Sequence, residues 1–159
     1  MATRSSFSNW IRVIELESEF DWSAFRELSE FELYIVGDLW IIFNKYTGRN
    51  LCIFYNIENL FDLRDSRFTN DGDFLPESVK RWTPKRYKNK LRKLSYAIAN
   101  IGLEDIGKTP ALMGFAEVEN KQVIEDLLNT KHLKELPYDY VHYDSPDERG
   151  IDVALLYNK

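Results

Sequence analysis

The sequence predicts an α/β domain in which helices pack on a mixed sheet. From residue 51 onward, β-rich runs alternate with segments of helical periodicity, which is typical of layered α/β folds. The run at 151–157 is almost wholly apolar, as expected of a strand inside a sheet. A length of 159 residues, with 44% apolar and 30% charged residues, fits one globular domain and excludes disordered and collagen-like chains. The single cysteine, Cys52, excludes a disulfide scaffold.

Residues 1–50 form an unassigned N-terminal extension that we predict to be a short helix followed by a hairpin. Asp21 is suited to cap a helix over 22–31. The β-rich runs at 32–36 and 39–44 flank a Gly-Asp pair, which predicts a hairpin with a type II′ turn. A third strand, at 51–57, would complete a meander.

The best helix prediction begins at Thr83 as N-cap with Pro84 in the first turn, and it ends at Gly102. The polar residues 62–82 before it predict a loop of about 20 residues, a length typical of functional loops. After the helix, the patterns predict a strand at 111–118, a helix capped by Asn120, a strand at 138–143, a turn at 144–150 and a last strand at 151–157.

The charge is unevenly distributed along the chain. The net charge is −5, yet residues 80–93 contain eight basic residues and no acid. This pattern favours a local anion site over general adhesion to nucleic acid, although a solvated helix face would show the same pattern. No apolar segment of a signal peptide is visible in the first 20 residues, and no run is long enough to span a bilayer. We therefore expect no membrane span, and a cytoplasmic location by default.

Two predicted strands end in acids and amides. Asn56 and Glu58 lie at the end of the first strand, and Glu117 and Glu119 lie at the end of the second. If these strands are neighbours, Asn56 and Glu117 converge at one sheet edge, where carboxylate and amide oxygens suit Mg²⁺. The alternatives are that Asn56 is only a turn residue and that an acid here complements a helix dipole, a role that suits Glu119 better than Glu117. The two histidines, at 132 and 142, are expected at the surface or in hydrogen bonds.

Four segments in order resemble one family. They are FYNIENLFD at 54–62, FLPESVKRWTPKRYKNKL at 74–91, PALMGFAEVENKQVIEDL at 110–127 and VHYDSPDERGIDVALLY at 141–157. Together they resemble the endonuclease/exonuclease/phosphatase superfamily, the fold of DNase I, and most closely its bacterial hydrolase branch. The resemblance covers residues 51–159 and matches the N-terminal half of the family's domain. It implies part of a four-layer α/β sandwich, with metal-dependent hydrolysis of phosphate esters that usually uses Mg²⁺ or Mn²⁺.

The resemblance also implies site residues. Asn56 and Glu117 match catalytic positions, Glu117 matches the metal-binding glutamate, and Glu58 occupies a position where some members place an acid near the metal. The substrate-binding candidates are basic: Arg149, Arg86 and Lys90. Asp152 is expected to orient the loop that carries Arg149.

The resemblance stops before the family's later motifs. Members continue with a catalytic histidine, a Gly-Asp-x-Asn motif and an Asp-His pair, which activate water and stabilise the transition state. None of these is found in this sequence, and Gly37-Asp38 precedes the first motif. We therefore expect a truncated phosphoesterase or nuclease domain, inactive alone, whose substrate is a phosphate ester, possibly in nucleic acid.

Two alternatives stay open. The chain is a non-catalytic module that binds anions or nucleic acid through residues 80–93, or it is an incomplete domain with an exposed apolar sheet face. The oligomeric state and the particular substrate are not predicted.

Overall fold

The computed structural model describes residues 31–36, 39–44, 51–103 and 107–159. Six strands, two α-helices and one 3₁₀-helix are formed in these ranges: β1 (Phe31–Val36), β2 (Leu39–Asn44), β3 (Cys52–Leu60), the 3₁₀-helix (Gly72–Phe74), α1 (Pro84–Asn100), β4 (Leu112–Val118), α2 (Lys121–Leu128), β5 (Tyr138–Tyr143) and β6 (Asp152–Asn158). The hairpin prediction is confirmed, since β1 and β2 pair antiparallel with Val36 opposite Leu39. The type of its turn and residues 22–30 of the predicted helix lie outside the described residues. Phe31, predicted as the last residue of that helix, is instead the first residue of β1.

The strands form one mixed sheet in the order β1-β2-β3-β4-β6-β5. β3 and β4 are parallel, whereas the other neighbouring strands are antiparallel. The predicted α/β class is therefore confirmed, and β6 lies between two strands as its apolar sequence predicts. Because β3 and β4 are parallel neighbours, their carboxyl ends meet at one edge of the sheet.

The helices cover one face of this sheet. Their apolar residues join one buried cluster with inward residues of the central strands, among them Ile53, Phe115 and Leu156. The predicted limits of α1 are confirmed: the Thr83 hydroxyl accepts a hydrogen bond from the Arg86 amide, and Gly102 adopts a φ of 78° just after the helix. No α-helix in the described ranges is long and apolar enough to cross a membrane.

The opposite face of the sheet is open in the described part of the chain. Its apolar side chains include Phe54 at 47% exposure and Val153 at 46%. Gly114 lies under the Phe54 ring, where a Cβ atom would be 2.7 Å from Phe54 Cδ2. Since residues two apart on a strand share a face, Asn56 lies on this open face with Phe54. A site built on Asn56 is therefore accessible.

The segment 62–82 is a loop without strand or α-helix, as predicted, but it packs against the rest of the domain. It contains the 3₁₀-helix, and Phe74 stacks on Phe61 with ring centroids 4.0 Å apart. The buried Trp82 indole donates a hydrogen bond of 2.9 Å to the carbonyl oxygen of Phe61. These contacts tie the start of α1 to the end of β3, and so place basic residues of α1 near that strand end.

Candidate active site at the ends of β3 and β4

The backbone at the ends of β3 and β4 adopts a conformation that non-glycine residues rarely adopt. Glu58, Asn59 and Glu117 have φ values of 57°, 61° and 63°. The pairing of the two strands is interrupted at the same level, between Asn56 opposite Ala116 and Leu60 opposite Val118. Each such left-handed residue costs about 1–3 kcal/mol and tends to occur at functional sites. The strain marks this edge as a candidate site.

Asn56 joins the two strand ends through both atoms of its amide. Its Nδ2 donates to Glu117 Oε1 at 3.1 Å, and its Oδ1 accepts from the Glu58 amide at 2.9 Å. The second bond forms an Asx-turn, which favours the left-handed conformation that follows. The structure thus brings together Asn56, Glu117 and the backbone of Glu58, and it fixes the orientation of the Glu117 carboxylate.

Glu119 has a different role from the one that its sequence position suggests. The alternative that Glu119 is a first-turn acid complementing the dipole of α2 does not hold, because no acid lies in the first turn of that helix. Its Oε2 instead accepts a hydrogen bond of 2.5 Å from the Asp62 amide. The side chain is buried, and burial raises the pKa of Glu119 to about 7. The hydrogen bond from the Asp62 amide opposes this rise, and the charge of the Asp62 carboxylate adds to it. Glu119 therefore connects the two strand ends from inside the protein.

Lys90 of α1 lies beside Glu58 and Glu117. Its ammonium donates to the carbonyl oxygen of Glu58 and lies 5.6 Å from the centroid of the Trp82 ring. Burial lowers the pKa of Lys90, and the charges of Glu58 and Glu117 partly offset this effect. The packed segment 62–82 thus delivers one basic residue of α1 to the acidic edge.

The two arginines predicted to bind substrate differ in what they contact. Arg86 donates through Nη1 to the carbonyl oxygens of Lys80 and Arg81, the latter at 3.3 Å. Arg149 pairs with Asp147 through two side-chain hydrogen bonds of 3.2 and 3.1 Å, which raise the pKa of Arg149. The Glu117 charge also raises this pKa, by less than the contact with Asp147 does. Arg86 contacts the loop that precedes α1.

The histidines occupy separate places. His132 makes an edge-to-face contact with Tyr96, with centroids 5.5 Å apart. The expectation of a surface or hydrogen-bonded residue does not hold for His142, whose side chain is 2% exposed and whose Nε2 lies 3.0 Å from Asp152 Oδ2 without hydrogen-bond geometry. Asp152 Oδ1 accepts from the Ser145 amide at 2.7 Å and so orients the loop after β5, as expected. His142, Asp144 and Asp152 form a group that could hold a metal ion.

This group was missed because its spacing, His-x-Asp and a second Asp eight residues later, matches no standard metal motif. The available signal was the alternation within 138–143, which places His142 on the same face as Tyr138 and Tyr140.

The mixed sheet with flanking helices is a DNase I-like α/β fold. A model of the endonuclease/exonuclease/phosphatase family matches residues 51–159, and the chain belongs to this family. Searches of curated proteins and of solved structures each found no match. Family membership indicates a phosphoesterase or nuclease type of function, acting on phosphoester or nucleic-acid substrates. Members generally depend on a divalent metal, and among the described residues His142, Asp144 and Asp152 form a group that could hold one.

Proposed function

We propose that this chain contributes the metal-holding part of a divalent-metal-dependent phosphoesterase or nuclease site. Glu117 is the main ligand of Mg²⁺ or Mn²⁺, Glu58 is a second ligand, and Asn56 positions Glu117. The observation that carries the proposal is the 3.1 Å hydrogen bond from Asn56 to Glu117 between the ends of two adjacent parallel strands.

The donor set supports a hard cation. Glu117 and Glu58 offer carboxylate oxygens, and hard ions such as Mg²⁺ and Mn²⁺ prefer oxygen ligands. The hydrogen bond from Asn56 uses one Glu117 oxygen and leaves the lone pairs of the other for a cation. An ion bound there would polarise a phosphoryl oxygen of the substrate.

Lys90 and Arg149 support binding of a phosphate. Both feel the charge of Glu117, and both carry N–H groups suited to phosphate oxygens. Arg149 is already aligned by Asp147, so its planar guanidinium is partly preorganised. Because Arg86 contacts the carbonyls of Lys80 and Arg81, we assign it to holding the loop before α1 rather than to the phosphate.

We propose further that these residues alone do not complete a catalytic centre. Hydrolysis needs a group that removes a proton from the attacking water, and histidine is the commonest one. His142 lies on the sheet face that carries the buried Ala154, opposite the open face of Asn56, and His132 contacts Tyr96. The general base must therefore come from residues other than these two.

Calorimetric titration with Mg²⁺ and Mn²⁺ tests the metal role. Glu117→Gln, which keeps size and removes charge, should weaken binding at least about 30-fold, since a buried or half-buried ligand is worth about 2 kcal/mol or more. Glu77→Gln, a change at an exposed acid, is the matched control and should bind like wild type. Equal affinities for wild type and Glu117→Gln would overturn the proposal.

An activity assay tests the incomplete centre separately. With Mg²⁺ or Mn²⁺ present, the 159-residue chain should release no more nitrophenol from bis(p-nitrophenyl) phosphate, and cut no more plasmid DNA, than the Glu117→Gln variant. Turnover that Glu117→Gln abolishes would disprove this second proposal and support the first.

One observation favours a second candidate, a non-catalytic anion-binding module. Four basic residues of α1 project into solvent: Lys85, Lys88, Arg92 and Lys93. Binding of an oligonucleotide through such residues must weaken steeply with salt. Fluorescence anisotropy with a labelled oligonucleotide distinguishes the candidates: metal-independent binding that falls steeply with salt and is equal in Glu117→Gln favours the module.

A further inference from the structure

We infer that His142, Asp144 and Asp152 form a second metal site, and that it takes Zn²⁺ in preference to Mg²⁺. One ligand atom from each residue can be chosen so that all three lie within 4.8 Å of one another. The function proposed above does not use these side chains. The inference is independent of the function proposed for Glu117.

The first support is that the His142 imidazole is buried and its nitrogens are unsatisfied within the described part of the chain. The His142 side chain is 2% exposed, and neither ring nitrogen has a hydrogen-bond partner among the residues that the structure describes. Buried polar atoms are nearly always satisfied, so an unsatisfied pair requires an explanation. A bound cation supplies one, because it takes the lone pair of a ring nitrogen.

The second support is the relation between His142 and Asp152. Nε2 and Oδ2 lie 3.0 Å apart, yet the geometry is not that of a hydrogen bond. Two ligand atoms that each lie about 2.0–2.2 Å from one tetrahedral ion are themselves separated by roughly 3.4 Å, so a separation of 3.0 Å needs only a small adjustment to admit the ion. The spacing and the misalignment together fit two ligands that converge on a third atom.

The third support is the way in which the backbone presents the ligands. His142 lies opposite Ala154 in the β5–β6 pair, so Asp152 is its diagonal neighbour on the same face. Asp152 is held by the Ser145 amide through its other oxygen. Asp144 is 94% exposed, with Oδ1 3.7 Å from His142 Nδ1, so it can turn toward an incoming ion. Two ligands are therefore preplaced, and the third admits the ion from solvent.

The ligand set decides the metal class. An imidazole nitrogen with two carboxylates is typical of Zn²⁺ and related transition metals, whereas Mg²⁺ prefers an all-oxygen shell with several waters. The site also lies on the helix-covered face with Ala154, while Asn56 and Glu117 meet at the open face. An ion here would fix the loop 144–151, which carries Arg149.

The chain contains an internal control for the test, because it has two histidines. NMR of ¹⁵N-labelled imidazoles during titration with Zn²⁺ alone should shift the nitrogen signals of His142 and leave those of His132 unchanged. No shift of His142 up to millimolar Zn²⁺, or equal shifts of both residues, would overturn the site.

Calorimetry with Zn²⁺ tests whether the Asp144 carboxylate is a ligand of the ion. Asp144→Asn changes an exposed side chain and should fold normally, and it should weaken binding at least about 10-fold. Asp139→Asn, the control, removes a partly exposed acid that pairs with Lys159 and should bind as wild type. Equal affinity in wild type and Asp144→Asn contradicts the ligand set.

Glu117→Gln separates this inference from the proposed function. Zn²⁺-induced shifts of His142 should persist in that variant, even if Mg²⁺ binding proves absent in the wild type. Loss of those shifts in Glu117→Gln would show a single shared site and overturn the second one.

Discussion

Two glutamates, 117 and 119, connect the end of β4 to the end of β3 in opposite ways. Glu117 is half-buried, has a φ of 63° and accepts a hydrogen bond from the Asn56 side chain at the open face of the sheet. Glu119 is 8% exposed and accepts one from the Asp62 amide. Burial raises the pKa of Glu119 to about 7. The Glu117 carboxylate lies at the open face, within reach of a cation, whereas the Glu119 carboxylate is enclosed in the protein.

The difference shows that backbone conformation, and not residue type, separates these roles. Regular strand alternation would place residues 117 and 119 on the same face. The left-handed Glu117 interrupts β4, after which Val118 and Glu119 are both buried. A local distortion that costs about 1–3 kcal/mol thus turns one acid toward solvent and the next into the protein.

The largest expected effect is on stability, and it comes from changing Glu119, the buried glutamate. Because the folded-state pKa of Glu119 lies near 7, above its ordinary 4.5, the folded protein binds a proton that the unfolded chain releases between these values. Stability that is present below pH 4.5 is therefore lost as the pH rises through 7. Glu119→Gln, which cannot ionise, should raise the free energy of unfolding by about 2 kcal/mol at pH 8 and little at pH 4.

Urea unfolding at both pH values measures this effect. Glu77→Gln, at an exposed position, should show the wild-type pH dependence. A Glu119→Gln variant that is less stable than wild type at pH 8 would contradict the role given to burial.

The fold was largely predictable because its signals are local. Thr83 and Pro84 define the start of α1, Gly102 its end and Asn120 the cap of α2, and each acts through its own backbone neighbourhood. The packing of residues 62–82 was not predictable. It depends on contacts such as Trp82 with Phe61, which are 21 residues apart in sequence.

The site was predictable only in part. Asn56 and Glu117 could be paired once parallel adjacency of β3 and β4 was assumed, since acids and amides at strand ends form a recognisable pattern. The burial of Glu119 follows from the interruption at Glu117, and the burial of His142 follows from its place opposite Ala154 on the inner face of the sheet. Residue type indicates neither burial, and only the alternation within 138–143 indicates the face on which His142 lies. Charge alone likewise could not show that Arg86 contacts carbonyl groups.

Glu117, the accessible glutamate, is tested by changing its hydrogen-bond partner Asn56. Asn56→Ala removes the amide that orients Glu117 and closes the turn at Glu58, so Mg²⁺ binding should weaken by about 10-fold, less than in Glu117→Gln. Calorimetric titration measures this, with Asn89→Ala on the exposed side of α1 as control. Glu119→Gln should leave Mg²⁺ affinity unchanged. A Glu119→Gln variant that loses as much affinity as Asn56→Ala would erase the distinction between the two acids.

The smallest expected effect is that of Lys90, the basic residue beside Glu58 and Glu117. Lys90 lies close enough to Glu58 and Glu117 for their charges to affect its pKa, so its ammonium should repel an ion held by these acids. Lys90→Met keeps the length of the side chain and should tighten Mg²⁺ binding by about two- to three-fold, more at low salt, while weakening binding of inorganic phosphate. Lys93→Met, on the exposed part of α1, should change neither affinity. Weaker Mg²⁺ binding in Lys90→Met would show that Lys90 supports the conformation of Glu58 through its bond to that carbonyl more than it opposes the ion.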